Sequence, residues 1–511
     1  MVNERSAEMP SAKKRRQSRP NAAKPSLAPN MPVDACYYPA ACEAIQSAAP
    51  VAGFARRGRW GMEGNHLRQA QSTKGRGLGR RLRVAVLLAG VLAAAAWGVA
   101  PRGVAAAPPA KAAQTKVHFF PSTTYEKTHP TSCTTDCSLM TFHGGTVQHG
   151  ELDYLIFWTP SGYYMPSAYR NGLNTWMSEV AASDYQAGNQ FSVAQQYYDN
   201  SGPGSSKNFV PYAITNGGII VDTDALPASG CTDSGTTACI NDTQIRTEIQ
   251  NVVTAHKLPQ NANTEYILFT PLKVGSCFTS ANTSCAYTSY CGYHSYFTGT
   301  TGQIVYANMP WSYSVSGCDV NPAFSTGYAN GSAIDPEVGV FSHELIETMT
   351  DPNINAWYDG SGNEIGDKCA YIYGSGGYGS MTGLANNGLG YWNINLSGDE
   401  YLLQQEFSNF NSNGTTTGCV KTDSDTQPTF TVTISPNPPV HGSSATFTAN
   451  VTDPYGINRV VWYFGDSTNA TVFGSGVTHH TYATAGTKTL QAIVTDGHGN
   501  EKRLIETITV S

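Results

Sequence analysis

The cysteines place the strongest constraint on how this chain folds. Of the 12 cysteines, Cys36 and Cys42 lie near the N-terminus, and the other ten follow residue 130. These ten fall into close pairs: Cys133/Cys137, Cys231/Cys239, Cys277/Cys285, Cys291/Cys318 and Cys369/Cys419. They contain no C-x-x-C spacing of the kind that indicates a thiolate metal site. The pattern therefore predicts a disulfide framework made in an oxidising compartment, with pairing between neighbours as the expected connectivity.

The charge of the chain changes sign along its length. Residues 1–83 hold 16 basic and 5 acidic residues, whereas residues 84–511 hold 15 basic and 32 acidic residues. The overall charge of −6 is therefore a cancellation between a basic leader and an acidic body. Because an acidic body repels phosphate, we expect no nucleic-acid partner.

The junction between these two parts predicts a secretory signal, residues 80–107. Arg80, Arg81 and Arg83 precede an apolar run of 17 residues, 84–100, and small residues follow at 104–107. This is the order of a signal peptide. A membrane anchor is the alternative, because a span needs ~17–25 apolar residues. We favour cleavage and secretion, which would leave no stable membrane span in the mature chain.

The long leader before this signal is unusual. Met62 lies about 20 residues before the apolar run, the distance expected of a normal signal peptide. We therefore expect translation to begin at Met62, with residues 1–61 a gene-start artefact or a disordered extension.

Composition divides the chain into segments. The predicted boundaries are a basic, disordered leader (1–83), the signal and cleavage region (84–107), a polar arm or pro-segment (108–138), a first domain (139–420), a polar linker (421–428) and a second domain (429–511). In the first domain, strand-like runs alternate with helical patterns, at 152–158, 168–180, 217–221, 245–256 and 264–270. This alternation predicts an α+β or α/β domain with long disulfide-bonded loops.

The second domain has the pattern of an all-β sandwich. Alternating runs occur at 429–435, 445–452, 459–464 and 490–495, separated by turn residues. The segments Trp462–Asp466 (WYFGD) and His480–Gly486 (HTYATAG) resemble the signatures of the PKD domain, an immunoglobulin-like sandwich common on bacterial secreted enzymes. The resemblance implies a spacer or a binding module without chemistry of its own.

Residues 335–352 carry the sharpest chemical signal. Asp335 followed by proline predicts the N-cap and first position of a helix, and Asp351 followed by proline predicts its end. A buried stripe is predicted at Val338, Phe341, Leu345 and Met349. In this helix His343 and Glu347 are four residues apart, so they project together and could bind one Zn²⁺. Glu344, rotated by about 100°, could act as the general base on water, as in the H-E-x-x-H motif.

A catalytic zinc requires a third protein ligand and an open position. Asp367 is the leading candidate, within Glu364–Cys369 (EIGDKC), and a turn carboxylate that caps backbone N–H groups is its alternative role. Other possible ligands are Glu364, His294 and His143. Tyr358 and Tyr371 could stabilise an oxyanion, or simply pack in the core.

Four motifs in order carry a family resemblance. They are Phe142–Gly145 before the LDYLIFW strand, Cys291–His294, Ser342–Leu345 continuing through Asn355–Tyr358, and Glu364–Cys369. Over about residues 140–420 the chain resembles the EXORDIUM/phosphate-induced protein family. The resemblance implies that His343, Glu344, Glu347 and Asp367 occupy the family's H-E-x-x-E and E-I-G-D positions. Plant members are secreted, cell-wall-associated growth regulators without an agreed reaction.

Two functions follow from these patterns. The first is a secreted zinc-dependent hydrolase, most simply a metallopeptidase, with Zn²⁺ on His343, Glu347 and Asp367, and Glu344 as the catalytic base. Its fold would be a metallohydrolase-like domain followed by the sandwich, and we expect a monomer that acts on extracellular protein or on a cell-wall polysaccharide. The alternative is a non-enzymatic exported protein that binds cell wall or polysaccharide and holds a structural metal.

Overall fold

The structure is a computed structural model that describes residues 118–511 except 134–136, 186–187, 234, 320–326, 331–332, 375–384, 387–389, 413–417 and 424. The predicted leader, the signal region and residues 108–117 of the arm lie outside the described residues. In the part that is described, no helix combines the length and the apolar character needed to cross a membrane.

The first domain contains four described α-helices and short strands around a central sheet. The helices are α1 (Thr123–Thr128), α2 (Ser167–Ala182), α3 (Asp242–His256) and α4 (Ile334–Thr350), with 3₁₀ turns at Gln190–Gln196, Pro203–Ser205 and Asp367–Cys369. The strands are β1 (Phe120–Pro121), β2 (Thr141–Phe142), β3 (Glu151–Trp158), β4 (Tyr198–Asp199), β5 (Asn208–Phe209), β6 (Ile214–Asp222), β7 (Ala238–Asn241), β8 (Thr264–Thr270), β9 (Val274–Cys277), β10 (Tyr290–Thr298), β11 (Gln303–Pro310), β12 (Trp357–Tyr358), β13 (Ala385–Asn386), β14 (Tyr391–Trp392), β15 (Ile394–Leu396), β16 (Asp399–Tyr401), β17 (Glu406–Phe407) and β18 (Cys419–Val420).

The central sheet has six strands in the order β1-β10-β11-β8-β3-β6. The four strands β11, β8, β3 and β6 are parallel, whereas β10 runs antiparallel to β11 and β1 antiparallel to β10. Every residue of β8 is buried, as expected of a parallel strand covered on both faces. The mixed α and β content predicted from the sequence is therefore confirmed.

Helices cover both faces of this sheet because side chains alternate along each strand. Leu155 and Phe157 pack in one core with α2 and α4, whereas Ile156 and Trp158 pack in a second core with α3. The domain consequently has three layers, and α4 lies beneath the end of the sheet where β10 and β1 pair.

Helix α4 is buried along its whole length. The predicted stripe is therefore only part of its buried surface, and an exposed helical face is excluded for His343 and Glu347. The prediction that Asp335 caps the helix is wrong, because the helix begins at Ile334 with Ala333 as the N-cap. The carboxylate of Asp335 instead accepts a hydrogen bond of 3.0 Å from the side-chain amide of Asn330.

All five predicted disulfides are present. They join Cys133–Cys137, Cys231–Cys239, Cys277–Cys285, Cys291–Cys318 and Cys369–Cys419. Neighbour pairing is confirmed, and a disulfide set of this kind is typical of proteins that mature in an oxidising, extracellular environment.

The second domain is a sandwich of two antiparallel sheets, β19-β20-β23 and β22-β21-β24-β25. Its strands are β19 (Thr429–Ser435), β20 (Ser444–Thr452), β21 (Ile457–Tyr463), β22 (Asn469–Phe473), β23 (Val477–Thr481), β24 (Gly486–Asp496) and β25 (Glu501–Val510). Phe447, Trp462 and Val494 form part of the core between the sheets. The predicted all-β second domain is confirmed.

The two signature segments of the sandwich contact one another. His480 Nε2 lies 2.8 Å from Asp466 Oδ2, and the His480 ring stacks on Phe464 at 4.0 Å between ring centroids. The hydroxyl of Tyr482 donates to the carbonyl oxygen of Phe464 across 3.1 Å. The two motifs therefore have a structural role, since they join the end of β21 to β23.

Candidate metal centre

Helix α4 places two of the predicted ligands next to one another. His343 and Glu347 lie one helical turn apart, and His343 Nε2 is 3.2 Å from Glu347 Oε1. Both side chains are 0% exposed. Gln404 holds the opposite side of the ring, because its Nε2 lies 3.1 Å from His343 Nδ1 and 3.1 Å from the Gly366 carbonyl oxygen.

The EIGD segment brings Asp367 to the same point. The backbone N–H of Asp367 donates to Glu347 Oε1 across 2.9 Å, while Asp367 Oδ2 accepts from the Glu364 N–H across 3.1 Å. One ligand-type atom from each of His343, Glu347 and Asp367 lies within 4.8 Å of the others. Asp367 therefore caps a turn, which is the alternative role predicted from the sequence. It also contributes a carboxylate oxygen to the cluster.

Glycine is required beside this cluster. A Cβ atom on Gly366 would lie 2.6 Å from His343 Nδ1 and 3.0 Å from Glu347 Oε1. On strand β10, a Cβ on Gly292 would lie 2.6 Å from Val340 and 3.2 Å from Glu344 Oε1. The absence of side chains at both positions allows the loop and the strand to approach α4 closely.

Of the three other possible ligands predicted from the sequence, His294 and Glu364 also lie in the cluster. His294 Nε2, on β10, lies 2.9 Å from Glu364 Oε2 and 3.5 Å from Glu347 Oε2. His143 lies elsewhere, directly after β2, where its ring stacks on Tyr358 at 3.5 Å and its Nε2 is 3.2 Å from the Tyr358 carbonyl oxygen. Glu347 shares a candidate ligand group with His343 and Asp367. It shares a second group with His118 and Glu364, and a third with His294 and Glu344.

His118 also lies in the cluster, although it is not among the residues predicted from the sequence. This residue is buried, and its Nδ1 lies 3.2 Å from Glu364 Oε1 and 3.4 Å from Asp367 Oδ2. It belongs to the predicted polar arm, but it begins the apolar run His118–Pro121, which is buried against the cluster. A short apolar run within a polar segment was the signal that could have identified it.

The predicted catalytic base contacts the same run. Glu344 Oε1 accepts a hydrogen bond of 2.9 Å from the backbone N–H of Phe120. Glu344 is 0% exposed, so neither oxygen is in contact with solvent. Of the two predicted oxyanion stabilisers, Tyr371 donates its hydroxyl to the Pro121 carbonyl oxygen, whereas the Tyr358 ring packs on His143.

The ionisation of the cluster is strongly coupled. Burial lowers the pKa of His343, but the charge and hydrogen bond of Glu347 outweigh this effect and raise the pKa to about 10. Burial raises the pKa of Glu344 to about 8, against the attraction of His343. Burial opposes ionisation of Glu347 too, but His343 and His294 hold the Glu347 pKa well below its usual range. A cation that binds here must therefore displace protons.

The donor atoms at this position suit a metal ion. Among the described residues, the buried Glu344 Oε2 has no hydrogen-bond partner, and His343 Nε2, Glu347 Oε2 and Glu364 Oε1 have only the ion-pair contacts of 3.2–3.5 Å given above. Buried polar atoms without partners are costly and require an explanation. Imidazole nitrogen and carboxylate oxygen are both zinc ligands, so the residues present fit that metal.

Comparison with known families agrees with the motifs. Residues 306–417 match the family described as phosphate-induced protein 1 conserved region, and residues 425–510 match the PKD domain. The first match includes both α4 and the EIGD segment. The resemblance to the phosphate-induced protein family, followed by a PKD domain, is therefore confirmed.

Two plant proteins are similar to part of the chain. Protein EXORDIUM-like 3 of Arabidopsis thaliana is 31% identical over 182 residues, which cover 31% of this chain and 52% of the relative. Protein EXORDIUM-like 5 of Arabidopsis thaliana is 46% identical over 56 residues, covering 10% of this chain and 15% of the relative. The chain thus spans about half the length of the first relative and a smaller part of the second.

Likenesses to solved structures are weak. The PKD1 domain of the Vibrio cholerae metalloprotease PrtV is 24% identical over 17% of this chain and 99% of its own, with a TM-score of 0.15. OgpA from Akkermansia muciniphila is 9% identical over 71% of this chain and 94% of its own, with a TM-score of 0.18. TM-scores this low support no conclusion about the first domain.

Proposed function

We propose that this protein is an exported zinc-dependent peptidase. The observation that carries the proposal is the convergence of His343, Glu347 and Asp367, with ligand atoms within 4.8 Å of one another, beside a buried Glu344 on the same helix. A metal-binding triad and a general base are the minimum set for metal-assisted hydrolysis.

His343, Glu347 and Asp367 would hold the zinc ion. Bound there, zinc would supply Lewis-acid polarisation of a substrate carbonyl and make water a competent nucleophile near neutral pH. Three protein ligands leave one position open in the tetrahedral geometry that zinc prefers. Gln404 orients His343 through its ring Nδ1, and the Asp367 N–H orients Glu347.

The protein groups around this position suit amide hydrolysis. Glu344 would accept the proton of the attacking water and deliver it to the leaving amine. Its Oε1 already lies at hydrogen-bond distance from a peptide N–H, that of Phe120. Tyr371 would donate its hydroxyl to the developing oxyanion, as it now donates to the carbonyl oxygen of Pro121. Both contacts favour a peptide substrate over a sugar.

Metal analysis is the experiment that tests this proposal. We expect about one zinc per chain in the wild type and in Glu344→Gln, and little or none in His343→Ala. His143→Ala is the matched control, because His143 lies outside the cluster and should not alter zinc content. With full zinc occupancy, Glu344→Gln should lower casein hydrolysis by about 10²–10⁴-fold.

Two outcomes would contradict the proposal. Wild-type protein without zinc that still hydrolyses casein would remove the metal from the mechanism. Equal binding of cell-wall polysaccharide by the wild type and Glu344→Gln, with no hydrolysis by either, would favour the non-enzymatic alternative.

A further inference from the structure

We propose that the edge of strand β10 beside Glu344 is a binding site for an extended polypeptide, and that residues 118–121 occupy this site in the intact chain. The inference rests on the proposed function, and it names the substrate class and the device that blocks the site. From here on, "arm" means residues 118–133, which are part of the predicted polar arm 108–138. The term "edge site" means β10 at 290–292 together with Glu344 and Tyr371.

The arm binds the sheet as an added strand would. Phe120 pairs with Gly292 and Pro121 with Tyr290, in antiparallel register. Because β1 is the outermost strand in the order β1-β10-β11-β8-β3-β6, its removal would leave β10 as the edge. An exposed edge strand recognises peptides through main-chain hydrogen bonds, which depend on an extended backbone and little on sequence.

The backbone of the arm meets the groups proposed to act on a substrate amide. The Phe120 N–H donates to Glu344 Oε1 across 2.9 Å, and the Pro121 carbonyl oxygen accepts from the Tyr371 hydroxyl. One residue further on, the Ser122 N–H donates to the carbonyl oxygen of Ser289 across 2.9 Å. A peptide N–H on the base and a peptide carbonyl on the oxyanion donor are the contacts expected of a bound polypeptide.

The side chains of the arm cover the candidate metal ligands. The Phe120 ring packs edge-on against His343 at 4.9 Å and against Tyr371 at 4.8 Å between ring centroids. Phe120 is 1% exposed, and His343 beneath it is 0% exposed. A substrate can reach this position only when the arm is displaced, so release of the arm is expected to raise the rate of casein hydrolysis above that of the intact chain. The packing also predicts that the edge site accepts an aromatic residue at the Phe120 position.

The attachment of the arm allows its removal. Residues 118–132 contain no cysteine, and the first disulfide, Cys133–Cys137, closes only a local loop. The stretch 127–130, which runs from the last turn of helix α1 towards that disulfide, is exposed. A cavity of about 280 Å³ lies between the arm and the loop that carries Ser361, Asn363 and Asp367. A cut at 127–130 would leave residues 118–126 held by non-covalent contacts alone.

The test uses the full chain with the recognition sequence of a site-specific protease in place of exposed residues 127–130. The probe is a fluorescein-labelled peptide of residues 118–124, His-Phe-Phe-Pro-Ser-Thr-Thr, and a scrambled peptide controls for composition. Fluorescence anisotropy measures binding before and after cutting, and the peptide mass afterwards records hydrolysis. We expect binding at least tenfold tighter after the cut, with the scrambled peptide unaffected.

A matched control carries the same recognition sequence in the exposed loop 279–283. That loop lies within the Cys277–Cys285 disulfide, so a cut there releases no segment. We expect this variant to bind the probe equally weakly before and after cutting. Gel filtration with intact mass analysis shows whether the cut arm has dissociated. If it has not, His118→Ala, which removes the arm's contacts with Glu364 and Asp367, is added to promote release.

The outcomes separate this inference from the proposed function. Tight binding without hydrolysis would support the edge site and count against the peptidase. Loss of the arm without any gain in probe binding, or retention of the arm in the cut His118→Ala variant, would overturn the inference. The binding results do not depend on metal content, whereas hydrolysis is scored only on protein shown to carry zinc.

Discussion

Gly366 and His343 are in closer contact than any other residue type at position 366 would allow. A Cβ atom at Gly366 would lie 2.6 Å from His343 Nδ1 and 2.9 Å from Cε1, so one of the two residues would have to move. The EIGD loop can therefore bring Asp367 to the cluster only with glycine at this position.

The first prediction concerns this contact. Gly366→Ala should lower zinc affinity by about 10–100-fold, the usual effect of disturbing the support of a metal ligand. Gly360→Ala is the matched control, because a Cβ at Gly360 meets nothing within 4 Å. Zinc titration with a competing chelator measures the change. Equal affinity in the two variants would show that His343 and Asp367 do not bind the same ion.

The second prediction concerns protons released on metal binding. The pKa of His343 is about 10 and that of Glu344 about 8 in the metal-free cluster, and ligation requires neutral imidazole. At pH 7 zinc binding should release at least one proton, so zinc affinity should rise between pH 6 and pH 8. Calorimetry in buffers of different ionisation enthalpy counts these protons. His143→Ala should release as many as the wild type; the prediction fails if zinc binding is independent of pH.

The third prediction concerns a second group of buried acids. Glu151 and Asp153 on β3 and Glu265 on β8 have carboxylate oxygens within 4.8 Å of one another, and Asp153 and Glu265 are neighbours in register. Burial, followed by repulsion from neighbouring carboxylates, raises the pKa of Glu151 and Asp153 well above their usual values. Burial raises the pKa of Glu265 to about 7, against the charge of His294 and the hydrogen bonds with Thr348 and Glu151.

Because these folded-state pKa values exceed the unfolded values near ~4, the folded chain binds more protons than the unfolded chain above that pH. The stability that protonation confers is complete below pH ~4 and is lost as pH rises through the folded pKa values. Asp153→Asn should therefore stabilise the chain by ~1 kcal/mol at pH 8 and reduce the loss of stability between pH 5 and pH 8. Thermal unfolding at both pH values tests this, with the exposed Asp399→Asn as control. A larger pH dependence in Asp153→Asn would contradict it.

The fourth prediction concerns the disulfide beside Asp367. Cys369–Cys419 spans 50 residues, whereas Cys133–Cys137 spans 4. On loop entropy alone, removing the longer cross-link with Cys369→Ala/Cys419→Ala should cost roughly 2 kcal/mol more than removing the shorter one with Cys133→Ala/Cys137→Ala. Denaturant unfolding gives the difference. The longer cross-link also fixes the turn that carries Asp367. Zinc affinity should therefore fall in Cys369→Ala/Cys419→Ala and not in Cys133→Ala/Cys137→Ala.

The sequence by itself determined features that depend on short-range chemistry. The i, i+4 spacing of His343 and Glu347 on a helix, three strands of the sheet (β3, β6 and β8), four strands of the sandwich (β19, β20, β21 and β24) and the five disulfide pairs all follow from periodicity or from proximity along the chain. The family motifs also identified the EIGD segment as a neighbour of the helix. Each of these features can be predicted because the residues that produce it lie within a few turns or a recognisable motif.

Only the tertiary structure decided what surrounds Glu347. His118 lies just before β1, His294 on β10 and Gln404 in a distant loop. The convergence of the two histidines depends on the pairing order of the sheet. The arm is polar in composition. It contacts Glu344 because residues 118–121, His-Phe-Phe-Pro, are buried against β10. Pairing between segments separated by about 170 residues is a long-range packing result, since it minimises exposed apolar surface and unpaired backbone groups over the whole domain.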